Sequence, residues 1–273
     1  MTIIFFHGIK SSKKVMNYIY QNKKYNKNDF IKLLKKIDKV YVPTFSYTNV
    51  YYYSDTKTDI QKMYNPIDTL HYDDFALDKY ITNLYNIIDK KVYKPPYILI
   101  AHSHGIYYAC EFAKQYKKEI KYIISLDGSW ISNELNKHRL LTWKNEGKII
   151  PKINNQKTLD AIIDKIKNEK DNLKYINMIF DYVREIHTKF CIKQNYEKID
   201  IPFITFRNFN SDITNDKIIN KYNKYNNNNV LQENNILSKY NNHIIYILLD
   251  ATHVIWLNDN YRNTIIQTIK LLI

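Results

Sequence analysis

The chain is poor in the residues that would mark several protein classes. It has two cysteines, Cys110 and Cys191, among 273 residues. Two cysteines build no disulfide framework, so a small secreted scaffold is excluded and a reducing compartment is expected. Arginine is almost missing, with four (Arg139, Arg184, Arg207, Arg262) against 37 lysines. Arginine is the residue suited to bidentate phosphate and guanine contacts, and the lysines are spread along the chain. The formal net charge of +14 therefore reads as a solvated lysine-rich surface in a chain dominated by Lys, Asn, Ile and Tyr. No nucleic-acid partner is expected. No apolar run approaches the roughly 18 residues of a membrane span, so no transmembrane segment is expected. Met1 to Gly8 lacks a basic n-region and reads as a strand, not a signal peptide, which points to a cytoplasmic protein.

What is present is an alternation of short apolar strands and amphipathic helices. Thr2–Phe6 is a β-branched and aromatic run ending at His7-Gly8. Helical spacing follows over 30–37, and a short strand over 40–42 is closed by Pro43. The Tyr-rich stretch 47–66 has no steady period and reads as a surface loop. Phe75 to Ile88 line a helix that Pro95-Pro96 stops. Tyr97–Ile100 then forms a strand, 106–117 a helix and 122–126 a strand ending at Asp127-Gly128. The alternation breaks over 129–199, which holds helix-like segments near 156–168 and 171–190. It resumes with a strand at 201–206 and a last strand at 244–249, with a closing helix within 254–273. The Asn-rich tract 221–229 reads as a loop insertion.

This pattern predicts an α/β fold with a mostly parallel central sheet flanked by helices. Residues 1–128 and 200–273 would form the core. Residues 129–199 would form a helical cap insertion over the carboxyl ends of the strands, where such sheets place ligands.

One stretch carries chemistry. Ala101-His102-Ser103-His104-Gly105 lies between a strand and a helix, the setting a nucleophile elbow requires. A sharp strand-to-helix turn lifts the serine hydroxyl clear of its own backbone. Only small residues fit two positions to either side, here Ala101 and Gly105. The helix that follows offers the positive end of its dipole to developing oxyanion charge. Ser125, Ser129 and Ser211 lack this setting.

On these residues the chain resembles the α/β-hydrolase family. Phe5-Phe6-His7-Gly8 is similar to the His-Gly turn after an early strand. Ile201-Pro202, the strand behind it and Asp212 resemble the acid-bearing segment. Asp250-Ala251-Thr252-His253-Val254-Ile255-Trp256 resembles the histidine loop before the last helix. The resemblance implies a triad in the order Ser103, Asp212, His253, with Asp127 as the alternative acid, because some members place it at that strand end. Asp216 and Asp250 are further candidates. Asp127 also fits an Asp-Gly turn.

The implied oxyanion hole uses the backbone N–H groups of Ile9 and His104, with Gly8 admitting close approach of the loop. His7, Gly8 and His102 are placed at the substrate. The implied function is a serine hydrolase that cleaves an ester-like or other acyl substrate, small or lipid-like, through an acyl-enzyme, with no cofactor. An acyltransferase on the same scaffold, or a non-catalytic ligand-binding protein, are the alternatives. The sequence leaves the oligomeric state open.

Three departures stand out: Ala101 for glycine at the elbow, Ile106 where many members carry a second glycine, and Asn208 where the acid segment usually carries one. The 41 positions from Asp212 to His253 make a long gap, which the Asn-rich insertion accounts for. His102 and His104 could be read as a metal pair, but Gly105 to Tyr108 supplies no further ligand. Cys110 sits at core spacing with Ile106 and Ala113 and reads as packing. Trp130 and Trp143 read as satellite core or pocket wall.

Overall fold

The computed structural model describes residues 1–8, 30–43, 45, 71–128, 133, 136, 137, 140, 141, 152–168, 173–194, 196, 200–209, 228, 230, 231, 243–251 and 253–273. Six parallel strands form one sheet: β1 (Thr2–Phe6), β2 (Lys39–Tyr41), β3 (Tyr97–His102), β4 (Ile120–Leu126), β5 (Phe203–Phe209) and β6 (His243–Leu249), in the spatial order β2-β1-β3-β4-β5-β6. The helices are α1 (Phe30–Lys35), α2 (Leu77–Ile87), α3 (Gly105–Gln115), α4 (Gln156–Asn168), α5 (Leu173–Gln194) and α6 (Asp259–Leu272). The expected α/β architecture, a parallel sheet flanked by helices, is the one observed. Among the described residues no helix is long and apolar enough to cross a membrane.

Every residue of β1 and β3 is buried, as befits central strands covered on both faces. Because side chains alternate along a strand, adjacent residues feed opposite layers. Ile3, Phe5, Ile98 and Ile100 join the apolar cluster that contains Phe30 and Leu34 of α1 and Ile265 and Ile269 of α6. Ile4, Phe6, Leu99 and Ala101 join the cluster that contains α2 and α3. That second cluster also takes in Leu159, Ile163 and Ile166 of α4 and Ile176, Ile179 and Val183 of α5. α4 and α5 thus share an apolar core with the sheet.

Several boundaries differ from the periodicity reading. β3 runs on through Ala101 and His102, because these pair in register with Ser125 and Leu126 of β4. β5 is shifted to 203–209, where it pairs with all of β6. α2 begins at Leu77, after a separate 3-10 turn at Tyr72–Phe75.

Three strands end alike. Ser103 after β3, Asp127 after β4 and Asp250 after β6 have φ of 53°, 49° and 55°. Each N–H bonds across to the neighbouring strand: Ser103 to Leu126 O at 3.1 Å, Asp127 to Phe206 O at 2.8 Å, Asp250 to Phe209 O at 2.8 Å. Left-handed backbone is strained for a residue with a Cβ, less so for Asp. The ladder bond holds each residue in it while the chain turns off the sheet.

Candidate active site

Ser103 sits where β3 gives way to α3. Close packing explains its small flanks. A Cβ on Gly105 would fall onto Phe6 O and within 2.9 Å of His7 O, so the start of α3 lies directly against the end of β1. A Cβ on Gly8 would stand 3.4 Å from the Ser103 Cβ and 3.2 Å from His102 Nδ1. The His-Gly turn after β1 therefore lies alongside the serine, and glycine there keeps that space open.

Asp127 ends β4, the next strand over. Its side chain is buried and its carboxylate is surrounded by donors. Oδ1 accepts from Arg207 Nη1 at 3.0 Å and from the Asn208 backbone N–H at 3.1 Å. Oδ2 accepts from His253 Nδ1 at 2.6 Å. A carboxylate can only accept here, so Nδ1 of His253 carries a proton and the Nε2 of a neutral ring is left with its lone pair. The His253 side chain is 46 % exposed while that of Asp127 is 3 % exposed, so one end of the imidazole is anchored in the interior and the ring reaches outward. Arg207 is itself buried, and its ion pair with Asp127 keeps two charges together out of water.

The two histidines beside Ser103 diverge. His102 Nε2 donates to the backbone oxygen of His253 at 3.0 Å. Its ring lies 4.8 Å from the His253 ring and stands edge-on to Trp256 at 4.6 Å. Burial, reinforced by the neighbouring His253, lowers the His102 pKa to about 3, so the ring is neutral and its Nε2–H tautomer is fixed by that carbonyl. His104 points the other way, its Nε2 lying 2.9 Å from His187 Nδ1 on α5. Cys110 is buried, and burial pushes its thiol well above the ordinary range, which suits packing and not nucleophilic attack.

His7 is fully buried, donates from Nδ1 to Gly8 O at 3.0 Å and packs 4.4 Å from the Phe45 ring. Burial lowers its pKa to about 4. Its side chain holds the turn that carries Gly8. Among the described residues no group of three or more His, Cys, Asp or Glu side chains could hold a metal ion.

Ser103, Gly8, His102, Asp127 and His253 are thus brought to the carboxyl ends of β1, β3, β4 and β6. Asp212, Asp216, Ile9, Trp130 and Trp143 lie outside the described residues. Asp250 is described, at the left-handed turn after β6, and the His253 ring bonds to Asp127. Two participants escaped the sequence reading, Arg207 and His187. A lone arginine at the end of an apolar strand needs a buried counter-charge, and His187 falls four residues from both Val183 and Cys191 on the buried stripe of α5. Those were the available signals.

No protein-family model matches the chain, and no curated protein does. Solved structures do. A lipase-esterase related protein from Clostridium acetobutylicum ATCC 824 superposes with a TM-score of 0.51 at 15% identity, over 100% of this chain and 94% of its own. A serine hydrolase involved in carbazole degradation matches with a TM-score of 0.50 at 12% identity, over 99% of this chain and 90% of its own. NosK from Streptomyces actuosus gives 0.51 at 8% identity, over 99% and 96%. At such identities the likeness speaks to the fold alone: with its parallel sheet flanked by helices, the chain has the α/β-hydrolase fold.

Proposed function

We propose that the protein is a serine hydrolase that cleaves an ester-like or other acyl substrate through an acyl-enzyme, with Ser103 as nucleophile, His253 as base and Asp127 as acid. The observation that carries this reading is the 2.6 Å bond from His253 Nδ1 to Asp127 Oδ2, at the strand end beside the left-handed Ser103. An imidazole held in that tautomer has Nε2 available to take the serine proton. Oγ attacks the acyl carbon, and the carbonyl oxygen becomes an oxyanion. His253 then passes the proton to the departing alcohol. Water, deprotonated by the same Nε2, releases the acid and restores Ser103. Asp127 stays ionised throughout and stabilises the imidazolium, while Arg207 and the Asn208 N–H hold its other oxygen.

In this reading the oxyanion is met by the His104 N–H at the start of α3 and, by chain position, by the N–H of Ile9 after Gly8. Asp127 takes the acid role in preference to Asp212 because its carboxylate already occupies the Nδ1 side of His253. His102 is assigned to positioning, since its Nε2–H is committed to the His253 backbone. Residues 129–199 are assigned as the insertion that shapes the pocket, with α5 as the wall next to the elbow.

The test is labelling of the full chain with an activated fluorophosphonate and peptide mapping. A stable adduct on Ser103, lost in His253→Ala, is expected. A folded protein that takes no label at Ser103 overturns the reading.

A further inference from the structure

His187 lies on α5, far from the triad in sequence and absent from the reading above, yet it is bonded to the residue that follows the nucleophile. Its ring is 1% exposed. Nε2 lies 3.1 Å from Phe75 O. A carbonyl only accepts, so Nε2 carries the proton. Burial lowers the His187 pKa to about 4, so the ring is neutral and Nδ1 is an acceptor. His104 Nε2, 2.9 Å away, must then be the donor. The direction of the whole chain follows: His104 Nε2–H to His187 Nδ1, His187 Nε2–H to Phe75 O. The two rings lie edge to edge and near-coplanar, their centroids 5.1 Å apart and their planes 18° apart, as an in-plane N–H···N bond requires, and Tyr108 closes over His187 edge-on at 5.3 Å.

Further polar pairs run along the same seam. Tyr107 Oη and Thr188 Oγ1 lie 2.9 Å apart, Tyr196 donates to Glu111 and Lys114 donates to Gln194. These pin α5, and Tyr196 just beyond it, alongside α3. The histidine pair differs from them because it grips the position immediately after Ser103, where α3 begins.

We propose that His187 is a positioning residue for the oxyanion hole: by accepting from the His104 ring it fixes that residue, and with it the backbone N–H at the start of α3 that faces the developing charge. This rests on the serine-hydrolase reading. A backbone donor has no side chain of its own to aim it. Its direction is set by the peptide plane, and here the residue behind that plane is tied at its far end to α5 and, through Phe75, to the turn before α2. The benefit is confined to the transition state, because the oxyanion exists only there. Loss of His187 is therefore expected to slow the chemical step and to leave binding alone.

The two halves of the ring can be tested separately. Asparagine places an acceptor where Nδ1 stood, and glutamine places a donor where Nε2 stood. The measurement is the rate of Ser103 phosphonylation by a fluorophosphonate over a range of probe concentrations. Thermal melting is followed on each variant. With a misplaced donor, His187→Gln and His187→Leu lower the maximal labelling rate by about 10- to 100-fold, while the half-saturating concentration moves by less than about twofold. His187→Asn, which keeps the acceptor for His104, recovers the rate to within roughly tenfold of wild type.

His104→Leu, read through the same bond, slows labelling alike, and combining it with His187→Gln adds no further loss. His104→Leu and the melting curves decide the matter if a His187 variant does not fold. Equal rates for His187→Asn and His187→Gln, or additive losses in the double variant, overturn the inference while Ser103 labelling of the wild type stands. Absence of wild-type labelling overturns the function reading and this inference together.

Discussion

The two sides of Ser103 are built differently. On one side His102 reaches across to the loop after β6, where its Nε2–H holds the backbone of His253. Behind it lies the aromatic group of Phe5, Phe30 and Trp256, which belongs to the sheet face covered by α1 and α6. On the other side His104 reaches to α5 through His187, backed by Tyr108, Phe45 and Tyr80 on the opposite sheet face. One histidine is tied to the loop that carries the proposed base, the other to a helix that carries no member of the proposed triad. Neighbours two residues apart thus couple Ser103 to the two separate layers of the fold. The difference teaches that the elbow is held from both faces, and that each face serves a distinct part of the proposed chemistry.

The sharpest way to break that comparison is to remove what both sides serve. Ser103→Ala is expected to lower hydrolysis of an activated ester by at least about 10⁴-fold, read as initial rate on purified protein. If the rate survives, neither histidine is organised around a nucleophile. Asp127→Asn tests the base side at its root. It is expected to cost about 10³- to 10⁴-fold in turnover because the His253 tautomer is no longer fixed, while Asp212→Asn costs less than about tenfold. The reverse order of losses would move the acid to Asp212.

A milder change separates the sides. His102→Leu removes the bond to His253 O and is expected to cost about tenfold in turnover, with His102→Gln recovering most of it. Because this acts through the base, the pH–rate profile should shift with His102→Leu and stay in place for His187→Gln. If both variants shift the profile equally, the two sides do not have separate tasks. Gly105→Ala strikes both at once. Its added methyl would collide with the Phe6 carbonyl, and a loss of roughly 1–3 kcal/mol or more is expected in denaturant unfolding.

A separate effect is one of pH on stability. His7, His102 and His187 have pKa values lowered by burial from the ordinary 6.5 to about 4, 3 and 4. Folded, they are neutral. Unfolded, they take up protons below pH 6.5. Their contribution is therefore fully present above that pH and is lost as pH falls toward 3 to 4. Near pH 5, unfolding is expected to take up about three protons from these groups, seen as the slope of unfolding free energy against pH. A flat profile between pH 4.5 and 6.5 would refute it.

Much of the fold was legible in the sequence because strand and helix periods are local. β1 and β6 fall within a residue of their predicted spans, and α4 matches residue for residue. The extension of β3 through His102 was not legible, since Ala101 and His102 become strand only by pairing with Ser125 and Leu126. At the site, Ser103 and His253 could be named from flanking pattern and order. Arg207 and His187 could not, because strand position and helical spacing mark a residue as inward-facing but do not name its partner, here a carboxylate 80 positions away for Arg207.

The sequence by itself determined the alternation of elements, the small residues around Ser103 and the presence of serine, histidine and acid at strand ends. These depend on neighbours within a few residues. The tertiary structure decided which carboxylate meets His253 and where each flanking histidine points. Strand order brings the end of β4 beside the loop after β6, and helix packing brings α5 beside α3. A hydrogen bond senses distance in space, and that distance is set only when the sheet and its two layers have closed.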